Sequence, residues 1–123
     1  MSADVTNESS DPRALILNSI SDQLERLTAR VGDDVEQHTQ VGKGRVPEGF
    51  VIYYLTDETG EPLKNTHTAD HGVTMTNIEE TRGYQTLLAY CDKRSYHLRI
   101  DEHFYADEPR ATTIYRVVVD GWD

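Results

Sequence analysis

The chain has 123 residues, enough for one domain with a single core, and only 27 of them are Leu, Ile, Val or Phe, so that core is lean. Asp and Glu total 22 against 12 Lys and Arg, and the resulting net charge of −10 argues against nucleic acid as a partner. No apolar run approaches the ~18 residues of a membrane span, and the lone cysteine, Cys91, excludes an internal disulfide.

Only three of the twelve basic residues are lysines. Carboxylates hold water strongly, whereas lysine exposes a long apolar stem, so this balance suits a surface that stays soluble in concentrated salt. A halophilic setting is the expectation; a GC-rich genome favouring arginine codons is the plainer alternative. The N-terminus lacks the basic-then-apolar pattern of a secretion signal, which points to cytoplasmic synthesis.

Residues 1–10 are polar and are expected to form a disordered tail ahead of one α+β domain, 11–123. Ser10 or Asp11 caps a helix over 11–31, with Pro12 in its first turn, where a missing N–H costs nothing, and Gly32 just past its end. Leu17, Ile20, Leu24, Leu27 and Val31 repeat at spacings of three and four, with Ile16 widening the stripe. That seam has heptad form, but with no ion pairs beside it, docking on a sheet is preferred to a coiled coil. Leu15 lies on the opposite, polar face and is a candidate interface residue.

Residues 32–49 have no periodicity and are expected to form a long loop. Gly42-Lys43-Gly44-Arg45 supplies flexibility and positive charge, making Lys43 and Arg45 candidates for an arm that clasps a neighbouring subunit. A phosphate-binding loop is ruled out because the G-x-x-x-x-G-K-[ST] spacing is absent. Phe50 to Thr56 reads as a first strand, apolar on both faces and so expected to be covered. Asp57-Glu-Thr-Gly60 is a turn. Glu61 to Asp70 reads as irregular, and Val73 to Thr76 as a short strand.

Tyr84 to Cys91 reads as a strand, with a helix as the rival: Asn77 to Glu80 has the form of a helix start, and Tyr84, Leu87, Leu88 and Cys91 share a helical face. Gly83, Thr81 and Thr86 weigh against the helix. Tyr96 to Asp101 alternates strictly, placing Tyr96, Leu98 and Ile100 on one face and His97, Arg99 and Asp101 on the other. Ala106 to Arg110 is a turn, and Thr112 to Val119 a well-covered last strand. Together these make a helix packed on a mostly antiparallel sheet of four to five strands spanning 50–119.

The stretch from Ala14 to Leu55 combines the amphipathic helix with Val31-Gly32-Asp33-Asp34-Val35, then Arg45-Val46-Pro47-Glu48-Gly49 leading into an apolar strand. It resembles the opening of tail-completion, or tail-terminator, proteins of tailed viruses. The resemblance covers about a third of the chain. It implies a ring-forming virion component and supplies no catalytic residues.

Chemistry-bearing residues are sparse. His67-Thr-Ala-Asp-His71 is the best metal candidate, with His97, Glu102 or His103 available to complete a shell, although the H-x-x-x-H spacing has its meaning on a helix. Cys91 sits in an apolar run and reads as a buried, inert thiol. Seven tyrosines against two phenylalanines suit contacts that work wet, and Tyr105 and Trp122 are the aromatic interface candidates. The expected role is that of a non-catalytic assembly protein, without cofactor or metal, acting as a homo-oligomer or within a larger assembly and not on a membrane. The alternatives are a small metal- or ligand-binding domain or enzyme built on His67 and His71, and an intracellular adaptor.

Overall fold

The computed structural model describes residues 11–42, 50–106 and 111–121. It is α+β: helices lie against one face of an antiparallel sheet. The elements in order are α1 (Pro12–Gly42), β1 (Phe50–Tyr54), α2 (Asn65–Asp70), α3 (Met75–Glu79), α4 (Arg82–Lys93), β2 (His97–Tyr105) and β3 (Thr112–Asp120). Among the described residues the sheet has three strands in the order β1-β3-β2, fewer than the four to five expected. The last strand is central, as its apolar run suggests, and both other strands are edges.

The first helix corrects the expected boundary. It runs through Gly32 to Gly42, so much of the expected loop over 32–49 is helical. Val35 continues the stripe one turn beyond Val31, and Ile20, Leu24, Leu27, Val31 and Val35 are all buried in the core that α1 shares with α4 and the sheet. Gly32 does not end the helix; it makes room. A Cβ there would sit 2.6 Å from the Tyr90 hydroxyl of α4.

Residues 84–91 form part of helix α4, which corrects the strand expectation. The features read against a helix have other duties. Thr81 is the N-cap, its hydroxyl accepting from the Tyr84 N–H at 3.2 Å. Gly83 lets α4 press against α1: a Cβ would fall 1.9 Å from the Ser21 carbonyl oxygen, and the Gly83 N–H donates to the Ser21 hydroxyl at 2.8 Å. Gly83, Leu87 and Cys91 then form the buried stripe. The capping box starts earlier than the sequence suggested, between Thr74 and Asn77, and opens the short helix α3 where a strand over 73–76 was expected.

The sheet's inward face carries Val51 and Tyr53 of β1, Tyr115, Val117 and Val119 of β3, and Leu98 and Ile100 of β2. The two buried tyrosines keep their hydroxyls bonded: Tyr53 donates to Asp34 at 2.7 Å, and Tyr115 pairs with Thr68 of α2 at 2.6 Å. Tyr53 and Tyr115 thus join a mainly aliphatic core, Tyr84, Tyr90 and Tyr96 pack at its margin, and Tyr84 and Tyr90 lie on α4 rather than on a strand. The Asp57 turn forms as expected, with the carboxylate accepting from both Thr59 groups and from the Glu61 N–H, and Gly60 at φ +88°. No helix of the described residues is long and apolar enough to cross a membrane.

Candidate interaction surface

Strand alternation sends every second residue to the opposite face of the sheet, and no helix of the described residues belongs to the core cluster on that side. This outer face carries Phe50, Ile52 and Tyr54 of β1, Ile114, Arg116, Val118 and Asp120 of β3, and His97, Arg99, Asp101, His103 and Tyr105 of β2. Ile114 and Val118 are buried within it, while Phe50 and Tyr54 are each 48% exposed. The expectation that β1 is covered on both faces is therefore corrected: it is covered on one.

Half of this face is ionic. Arg116 donates twice to Asp101, both bonds at 3.1 Å, in the fork geometry that favours guanidinium over ammonium. Arg99 bridges Asp101 and Asp120, at 3.5 Å from each, and His97 lies 3.4 Å from Asp120. The hydrogen bonds from Arg116 hold the Asp101 carboxyl below the ordinary carboxylate range despite partial burial, and the charges of Arg116 and Arg99 add to the effect. Two carboxylates meet two guanidiniums, so the whole net charge of −10 falls elsewhere in the chain.

The edges of the sheet differ. The Leu55 N–H donates to the Tyr115 carbonyl at 3.3 Å, which sets the phase of the ladder: Val51, Tyr53 and Leu55 bond to β3, while the N–H and C=O groups of Phe50, Ile52 and Tyr54 point outward. Just beyond β1 this edge is closed by a side chain. Gln23 accepts from the Thr56 N–H at 2.8 Å and donates to the Thr56 carbonyl at 2.9 Å. The β2 edge bears His97, Arg99, Asp101, Glu102 and His103; β1 bears no charge at all.

The remaining candidates scatter. Leu15 is 49% exposed and borders a small groove of about 150 Å³ with Ile16, Thr56, Leu63 and His67. Lys43, Arg45 and Trp122 lie outside the described residues, as does the expected tail over 1–10. Tyr105 is 42% exposed at the end of β2, opposite Thr112.

The histidine stretch is helical, not irregular: His67 lies in α2 and His71 is its C-cap. Their rings meet edge-on with centroids 5.2 Å apart. His103 is on the sheet's outer face, whereas α2 reaches the inward face through Thr68, so the third histidine is not brought to the pair. Among the described residues, no group of three His, Cys, Asp or Glu side chains is placed to hold a metal ion. Burial raises the Cys91 thiol to about 11, Asp92 adding to the effect and Arg94 opposing it, which leaves little thiolate at neutral pH.

Alternation alone places His97, Arg99 and Asp101 together on a solvent face; Arg116 and Asp120 join them only through the β2–β3 register. Comparison with known proteins adds nothing to this geometry: no family model, no curated protein and no solved structure matches the chain.

Proposed function

We propose that this chain is a non-catalytic assembly subunit that works by docking with copies of itself in a high-salt setting, a tail or head-tail component of a virion being the concrete form. The observation that carries the reading is the outer face of the sheet. It sets an apolar and aromatic strip, the half-exposed Phe50 and Tyr54 flanking the partly buried Ile52, beside a lattice of ion pairs with no net charge. Apolar strips rimmed by polar groups mark protein contacts.

The salt argument joins the same reading. Two copies that each carry −10 repel one another, and the Debye length falls from about 10 Å at 0.1 M to about 3 Å at 1 M salt. Concentrated salt therefore weakens the repulsion and leaves apolar contact to drive association. The resemblance of residues 14–55 to tail-completion proteins suggests a ring, and the sequence carries no convergent set of reactive groups that would suggest catalysis.

Light scattering of the full chain, from dilute buffer to molar salt, tests the reading. A single discrete multimer that sharpens with salt is expected. One copy at every concentration and salt would overturn it, and stoichiometric zinc in the purified protein would move the role to His67 and His71.

A further inference from the structure

The edge strand β1 identifies how two copies meet. We propose that β1 pairs antiparallel with β1 of a second copy about a two-fold axis through Ile52, joining two three-stranded sheets into one of six strands. The inference rests on the assembly reading and names its contact.

Three observations converge on this strand. First, the outward N–H and C=O groups of Phe50, Ile52 and Tyr54 make no hydrogen bond among the described residues, while the next outward position, Thr56, is closed by Gln23. The free stretch thus has a defined end. Proteins blunt exposed edges with charge, proline or a bulge; the β2 edge is charged in this way, and Phe-Val-Ile-Tyr-Tyr has no such device.

Second, the free stretch is self-complementary. With Ile52 on the axis, its N–H and C=O exchange two hydrogen bonds with the Ile52 of the second copy. Phe50 falls opposite Tyr54, and Tyr54 opposite Phe50, each again in a hydrogen-bonded pair. The two large exposed residues of β1, both 48% exposed, lie equally far from Ile52 on the same outer face. Each therefore gains an aromatic cross-strand neighbour, one of the pairings that stabilise sheets. A shift of register by one residue would send these aromatics to opposite faces.

Third, charge permits a second copy here. The outer face is neutral, and on the inner side β1 runs beside Arg30 and Asp34 of α1, an ion pair at 3.7 Å. That pair is already neutral within each copy, so it adds no net repulsion at the junction. Elsewhere the chain presents its full negative excess to any copy of itself.

The test uses the full chain in molar salt, with mass read by light scattering and folding by thermal melting. Ile52→Pro removes the central donor at a position where the N–H faces away from β3, so the parent ladder is kept. Ile52→Lys places a charge on the axis. Both are expected to cut the multimer mass by at least half while melting within a few degrees of the parent. Ile52→Cys is expected to form a disulfide-linked dimer under mild oxidation, because Cα atoms of a hydrogen-bonded antiparallel pair lie about 5.5 Å apart. The parent chain, with its buried Cys91, and an exposed-turn control, Glu58→Cys, should not. A multimer that survives Ile52→Lys, together with no cross-link through Ile52→Cys, overturns the pairing and leaves the assembly reading standing. A parent chain that stays single in all conditions overturns both. If Ile52→Pro fails to fold, the lysine and cysteine variants decide.

Discussion

The two faces of the sheet are made from alternate residues of the same three strands, and they solve opposite problems. The inward face is sealed. Val117 and Val119 have no exposure, and the hydroxyls of Tyr53 and Tyr115 are bonded to Asp34 and Thr68. The outer face is open and half ionic, with Phe50 and Tyr54 exposed beside the Arg116–Asp101 fork. Burial therefore concentrates stability on one side, and the assembly proposed above would use the other. A substitution that alters one property should leave the other nearly untouched.

The largest expected effect is on the sealed side. Leu24 of α1 has no exposure and belongs to the core behind the inward face. Leu24→Ala should lower unfolding stability by about 3 kcal/mol, through lost transfer energy and the cavity left behind. At the open face, Tyr54→Ala should change the stability of the separate subunit by about 0.5 kcal/mol or less, as for other exposed sites, while weakening association. Urea melts of both variants at subunit concentrations low enough to prevent assembly check the contrast. Equal losses would erase the division of labour.

The helix pair behind the sealed face gives the next effect. Gly83→Ala drives a methyl into the Ser21 carbonyl, a backbone atom that cannot rotate aside, so α1 and α4 must separate. Overpacking of this kind costs about 2 kcal/mol. Thr81→Ala, which removes only the cap on the Tyr84 N–H, should cost about 1 kcal/mol. Thermal melting should show the same order, with the glycine variant the lower of the two.

Gly83 and Thr81 also show why part of the fold was hidden in the sequence. Both weaken a helix by intrinsic propensity, and a reading confined to residues 84–91 turns toward a strand. Their roles depend on where the helix starts and on how near α1 comes, and neither is local. Gly32 misleads for a related reason: a glycine that leaves room for the Tyr90 hydroxyl looks like a helix stop. Val35, four residues after Val31, was the visible sign that α1 continues. The strands fared better because period-two alternation is local, and Tyr96, Leu98 and Ile100 all pack against the core. The candidate surface was half legible. Alternation showed which residues of β2 face out, but Arg116 and Asp120 join them only through a register of fifteen or more residues' separation. Phe50 and Tyr54 read as covered because an apolar run does not reveal whether its strand is central or at an edge.

The smallest effect concerns pH and acts through the ion pairs of the outer face. The Asp101 carboxyl is held low mainly by hydrogen bonds from Arg116, with the nearby arginine charges assisting. A group whose folded pKa lies below its unfolded value, about 3.9 for Asp, binds fewer protons folded than unfolded. Its contribution is fully present above the unfolded pKa and is lost as pH falls through the lower folded value. The fork should therefore contribute at pH 6 and fade below about pH 4. Asp101→Asn should be less stable than the parent at pH 6, with the gap closing as pH falls toward 3. Side chains that are 22% and 30% exposed keep the effect small, and added salt should trim it further. Urea midpoints of both proteins across that range measure it. A gap that stays constant with pH would mean that the fork acts through shape and not charge.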